Sequence, residues 1–269
     1  MSDKLLAGRR GLIMGVANDH SIAWGIARAA SDAGAELGFT YQGDAFKKRV
    51  TPLVDSIGGS FLHECDVTDT PSLTSLFDKV RDEWGQLDFV VHAIAYSDKS
   101  ELKGRYVDTS AENFSQTMAI SCYSFTEVSR LAAPLMTEGG SLLTLSFMGA
   151  DRWMPSYNVM GVAKAALETS VRYIAVDLGK DNIRVNAISA GPMRTVSGAA
   201  VGDARYVLGW NRENSALMRN VSLDDMGGAA VYLLSDMSAG VTGEIHYVDA
   251  GYNVVGMKNP HNVRGHGAE

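Results

Sequence analysis

The chain has 269 residues, 46% of them hydrophobic, which suits one large α/β core and excludes a disordered, collagen-like or coiled-coil polymer. A net charge of −7 argues against nucleic acid as the main partner, because phosphate binding needs clustered Lys and Arg. Two cysteines, Cys65 and Cys122, make no disulfide framework; each lies in an apolar stretch and reads as a small core residue of a reducing compartment.

The N-terminal segment has no apolar signal core, and no run approaches the roughly 18 apolar residues of a membrane span, so a cytoplasmic location away from membranes is expected. The chain then alternates short apolar runs with segments of helical period, the pattern of βαβ units. Strands are predicted over residues 11–16, 37–41, 60–66, 87–94, 141–146, 184–189 and 244–248. Behind Thr70 and Pro71, the side chains Leu73, Leu76, Phe77, Val80 and Trp84 share one helical stripe. Ser222 with Asp225 predicts a capping box ahead of the apolar run 229–234. Gly34, Gly58, Gly59, Gly85, Gly139 and Gly140 stand where helices should stop. The expected fold is α/β, a Rossmann-type doubly wound parallel seven-stranded sheet with helices on both faces, forming a single domain over residues 1–257. Residues 258–269 show no periodicity and predict a disordered tail; His261 and His266 within it are not taken as a metal site.

Strand one ends at Gly15, and the stretch from there to Gly25 includes Asn18, His20, Ser21 and Ile22. A glycine followed by a helix start is how such sheets admit a pyrophosphate, since the backbone must come close and helix N–H groups must be free. The compact G-x-G-x-x-G is absent; the second glycine comes ten residues later, and Ser21 is the natural N-cap. Ligands bind beyond the carboxyl ends of the strands, which places Gln42, Asp66 with Val67, and Ala93, Ile94 and Ala95 at the same site. Gln42 stands where a ribose-reading acid is usual, and no Arg adjoins it, which favours NADH over NADPH. Asp66 is either an acceptor for the adenine amino group or a plain turn aspartate. Ile94 would form an apolar wall.

After strand five come Phe147, Ser156, Tyr157, Met160, Gly161 and Lys164. Tyr157 and Lys164 are seven apart, two helical turns or about 10.5 Å along one helix face. Beside a nicotinamide, a phenol and an ammonium so placed serve as proton donor and cofactor anchor. The text around Tyr157 and Lys164 resembles the catalytic helix of the bacterial enoyl-acyl-carrier-protein reductases, the NADH-dependent, divergent branch of the short-chain dehydrogenase/reductases. The loop from Gly15 to Gly25, Phe39 to Gln42, residues 184–195 and residues 243–251 share the resemblance, which runs over about residues 8–257.

That resemblance implies hydride transfer from NADH to the trans-2 double bond of an enoyl thioester carried on acyl carrier protein, in fatty-acid elongation, by a homotetramer. Carbonyl-reducing relatives place Tyr four residues before Lys; here that position is Met160, which has no proton to give. Tyr157 would donate to the enolate oxygen that forms. Lys164 would hold the nicotinamide ribose, Thr195 the cofactor phosphates, and Met193 would join the cofactor site. Ala95, Ser97, Phe147 and Tyr157 would face the substrate. Phe147 stands where many members carry a second tyrosine, and the basic residues beside the family's substrate portal are represented mainly by Arg205, next to Tyr206. Residues 196–219 mix glycines with large apolar side chains, and read as a lid or as an inserted helix pair. Two other readings compete: a dehydrogenase acting on a hydroxyl or ketone, and a non-catalytic dinucleotide sensor.

Overall fold

The computed structural model describes residues 4–195 and 203–258. Its strands are β1 (Arg10–Met14), β2 (Glu36–Tyr41), β3 (Phe61–Glu64), β4 (Phe89–His92), β5 (Gly140–Phe147), β6 (Ile183–Ala190) and β7 (Ile245–Val248). The helices are α1 (Ile22–Asp32), α2 (Gly43–Ser56), α3 (Thr70–Trp84), α4 (Ala111–Met118), α5 (Ser124–Ala132), α6 (Asn158–Gly179), α7 (Ala204–Asn214) and α8 (Leu223–Leu234). One sheet runs in the order β3-β2-β1-β4-β5-β6-β7, with every neighbouring pair parallel. The chain reverses its direction of travel between β1 and β4, the crevice where doubly wound sheets bind their ligands.

Successive strand residues enter opposite layers. Leu12 and Met14 pack with α3, α5 and α6, whereas Ile13 packs with α1, α2 and α8. Covered on both faces, the strands read as almost continuous apolar runs, which is why they stand out in the sequence. α3 buries Leu73, Leu76, Phe77 and Val80, each stabilising by roughly 1.5–3 kcal/mol over an exposed position. The Asp69 carboxylate accepts from the Ser72 N–H at its start, and Gly85, in the left-handed region at φ 71°, ends it. The capping box of Ser222 and Asp225 forms at α8, reinforced by Arg219 on both Asp225 oxygens.

Gly25 lies inside α1 and serves a helix crossing. A Cβ there would come within 2.8 Å of Leu223 Cβ, and one at Gly227 within 2.7 Å of Ala29 Cβ, so glycines let α1 and α8 pack against each other. β3 and β4 are shorter than their apolar runs, stopping at Glu64 and His92, and Ala93 and Ile94 beyond β4 pack on the core, whereas β5 and β6 run one residue further than predicted at each end. Both cysteines are buried, as their apolar surroundings predict. The segment 196–219 is described from residue 203 onward, where α7 forms; residues 196–202 and 259–269, with His261 and His266, lie outside the described residues.

Candidate active site

Because all seven strands are parallel, their carboxyl ends bring Gly15, Gln42, Asp66, Ala93 and Phe147 to one edge of the sheet. Gly15 adopts φ 100°, and a Cβ there would meet the Ala93 carbonyl oxygen at 2.2 Å. Only glycine allows β1 to turn against β4 at this point. Ser21 occupies the N-cap position of α1, yet its hydroxyl does not cap the helix as the sequence predicts. It accepts from the Ala17 and Asn18 N–H groups, each at 3.0 Å, and folds the loop back on itself. The start of α1, with Ile22 as its first residue, is thereby left without a side-chain cap. Next to it a cavity of about 880 Å³ is lined by Asn18, His20, Met193, Arg194, Thr195, Arg205 and Arg212. A closely approaching backbone, an uncapped helix N-terminus and a cationic lining fit a pyrophosphate.

Gln42 and Asp66 meet across the ends of β2 and β3. The Gln42 amide donates to Asp66 Oδ2 at 3.0 Å, and Thr68 donates to Oδ1 through its N–H and its hydroxyl. Partial burial alone would raise the Asp66 carboxyl, but the bonds from Thr68 and Gln42 hold it below its ordinary value. Asp66 thus closes a turn and remains an anion at the cofactor edge. Val67 and Ile94 pack on one core layer, Ala93 and Met193 on the other.

Tyr157 sits at the N-cap of α6 rather than within it, between Ser156 at φ 54° and Asn158 at φ 34°. Two non-glycine residues in the left-handed region are held by bonds outside the helix. Ser156 donates to Asp203 Oδ2 at 2.9 Å, and the Asn158 amide donates to the Glu101 carbonyl at 3.1 Å. The phenol ring is seated by two glycines: a Cβ on Gly149 would meet Tyr157 Cδ1 at 2.3 Å, and one on Gly161 would meet the Gly149 carbonyl oxygen at 2.7 Å. Burial pushes the Tyr157 phenol up, with the charge of Glu168 adding to the effect, so the group stays protonated. Lys164 is buried and donates to the Leu145 carbonyl at 2.7 Å; burial pulls its ammonium down to about 8. Met160 is also buried and packs in one cluster with Tyr157, Leu102 and Val159.

A family model for enoyl-(acyl carrier protein) reductase matches residues 15–253. The chain belongs to that family. The NADH enoyl-acyl-carrier-protein reductase 2 of Rhizobium meliloti is 61% identical over 253 residues, covering 94% of each chain. The Anaplasma phagocytophilum reductase, solved in complex with NAD, superposes with a TM-score of 0.92 at 60% identity, covering 95% of this chain and 97% of its own. The Bacillus cereus enzyme, solved with NADP+ and an indole naphthyridinone, gives 0.93 at 47% identity, covering 94% of this chain and all of its own.

Within this enoyl reductase fold, the segment after β4 is held by residues that sequence patterning missed. α4 and α5 are joined by a π-helical turn, Ala119–Tyr123. Asn113, Thr117, Ser121 and Ser124 form a buried polar stripe through that turn. Ser121 accepts from the Tyr96 N–H and donates to the Tyr96 carbonyl, while Asn113 Oδ1 accepts from the Asp98 N–H. Ser97 is buried too, and its hydroxyl is engaged by Asn113 and Thr117. Its side chain therefore fixes the segment, and of the residues expected to face substrate here, Ala95 is the exposed one. A second cavity, of about 320 Å³, is lined by Phe147, Met148, Met154, Pro192, Tyr206, Val207 and Trp210, among others. Phe147, which lines it, meets the Tyr157 ring with centroids 5.0 Å apart.

Proposed function

We propose that the chain reduces the trans-2 double bond of an enoyl-acyl-carrier-protein thioester at the expense of NADH, in fatty-acid elongation. The observation that carries this reading is the pairing of buried Lys164 with the neutral phenol of Tyr157 seven residues before it, while Met160 fills the four-residue position. When bound, NADH supplies hydride to the β-carbon. The negative charge then gathers on the thioester oxygen, and a phenol that keeps its proton is suited to donate to it. Lys164 adds positive charge and offers its ammonium to the nicotinamide ribose in place of the Leu145 carbonyl. Gly15, Ser21, Ile22 and Thr195 would hold the phosphates, Gln42, Asp66, Val67, Ala93 and Ile94 would receive the adenosine side, and Met193 would join the cofactor site. Ala95, Phe147 and Tyr157 face the acyl group.

A homotetramer accompanies this reading. α6 turns Val162, Tyr173 and Val176 outward, the last two 74% and 81% exposed, and Phe114 and Tyr123 stand exposed on the neighbouring helical segment. An apolar face of that extent suits a second copy of the chain. Cytoplasmic location fits too: among the described residues no helix is long and apolar enough to cross a membrane. The deciding assay follows nicotinamide oxidation with a crotonyl thioester and with a panel of ketones. Turnover of the thioester alone is expected; turnover of ketones alone would assign a carbonyl reductase, and tight NADH binding without turnover a sensor.

A further inference from the structure

Three consecutive residues at the end of β5 engage α6 and the residue at its N-cap. The Leu145 carbonyl accepts from Lys164, the Ser146 hydroxyl donates to the Glu168 carboxylate at 2.5 Å, and the Phe147 ring meets Tyr157. Lys164 and Glu168 lie at i and i+4 on one face of α6, and Tyr157 stands at its N-cap. Glu168 is 9% exposed, a buried carboxyl with no part in the chemistry described above. We propose that Glu168 is a positioning residue for this site: it supplies the buried counter-charge to Lys164 and, through Ser146, ties the end of β5 to the catalytic helix.

The charges around the pair support the assignment. Lys164 has no carboxylate within ion-pair distance among the described residues, so its partner acts through the interior, where charges are weakly screened. His92, Cys122 and Glu168 interact with it, and the Tyr157 phenol stands at the head of the same helix. Burial pushes His92 down to about 3, and burial also pushes the Cys122 thiol and the Tyr157 phenol up, so all three are neutral near pH 7. Glu168 is the one left to carry charge. Its carboxyl stays above the ordinary value, raised chiefly by burial and also by Asp151 against the Ser146 hydroxyl, Arg172 and Lys164, and Tyr247 feels its charge from β7. The negative charge of Glu168 favours the Lys164 ammonium and opposes the effect of burial.

This inference rests on the reductase reading, and one experiment separates the two. Full-length wild type, Glu168→Gln and Ser146→Ala are assayed for kcat/KM with NADH and crotonyl thioester from about pH 6 to about pH 10. Glu168→Gln keeps an acceptor for Ser146 and removes the charge. Its alkaline limb is expected about one pH unit lower than that of wild type, a roughly tenfold loss at a fixed pH above the limb, with near-normal rates at about pH 6. Ser146→Ala keeps the charge and should keep the limb in place. Coincident limbs for wild type and Glu168→Gln would overturn the proposal, as would an equal displacement in Ser146→Ala, which would make the effect one of packing. If Glu168→Gln does not fold, Glu168→Met, which replaces the charge with an apolar chain, must show the same displacement. A wild type inactive on the thioester at every pH would instead overturn the reductase reading.

Discussion

The ring of Phe147 stands nearly edge-on to that of Tyr157, with centroids 5.0 Å apart and planes at 63°. The contact braces the phenol from β5 while Gly149 and Gly161 admit it from the other sides. Phe147 has no hydroxyl to replace the one on Tyr157. Tyr157→Phe should therefore lower kcat by about 10²–10³-fold, the loss typical of one oxyanion donor, while the NADH Kd by fluorescence stays at the wild-type value. Near-normal kcat would show that another group donates.

Lys164→Ala should differ from Tyr157→Phe by weakening NADH binding as well as turnover, since the ammonium is assigned to the ribose. Titrating both variants with NADH by fluorescence makes the comparison; equal Kd values would remove Lys164 from the cofactor site.

Lys164 also gives a stability test whose sign follows from its burial. Its ammonium titrates near 8 in the folded chain and near 10.5 when unfolded. Between those values the unfolded state holds the extra proton, so stability from this group is complete above about pH 10.5 and is lost as pH falls through 8. Lys164→Met should accordingly gain most over wild type at pH 7, by about 1–3 kcal/mol, and the gain should shrink by about pH 10. Urea midpoints at the two pH values measure it; a gain independent of pH would mean that packing alone is responsible.

Gly15→Ala puts a methyl group into the Ala93 carbonyl oxygen at an angle unfavourable to L-residues. A stability loss of about 1–3 kcal/mol is expected, together with weaker NADH binding. Thermal melts with and without NADH report both, and a variant as stable and as tightly binding as wild type would mean that the β1 turn shifts freely.

NADH should be preferred over NADPH. A 2′-phosphate would enter beside the Asp66 carboxylate that Gln42 holds, while Lys47 of α2 lies over the Tyr41 ring at 5.5 Å. A kcat/KM ratio of at least about tenfold is expected, the effect of about 1.4 kcal/mol. Equal values, in line with the NADP+ complex of the Bacillus cereus enzyme, would show that Lys47 turns to the phosphate.

Much of this site was legible because its residues stand at the ends of apolar runs. A parallel sheet covered on both faces writes each strand as such a run, and parallel order then sends Gly15, Gln42, Asp66, Ala93 and Phe147 to the same edge. The hydrogen bonds were not legible. Asn113, Thr117, Ser121 and Ser124 are buried by polar contacts, so they write no apolar stripe, and the π turn interrupts the 3.6-residue period between α4 and α5. Ser21 has the residue type and backbone of an N-cap, but the loop N–H groups compete for its hydroxyl. Ser146 with Glu168, and Gln42 with Asp66, join residues more than 20 positions apart, beyond the reach of local pattern.

The seat of Tyr157 also limits how this stretch can vary. Gly149 and Gly161 are far apart in sequence, yet each is closed to a side chain by the same packed corner. A side chain at Gly149 would enter the Tyr157 ring, and one at Gly161 would enter the Gly149 carbonyl oxygen, so neither position can grow without moving the other. A library randomised at both positions and selected for growth on this enzyme alone should return glycine at each.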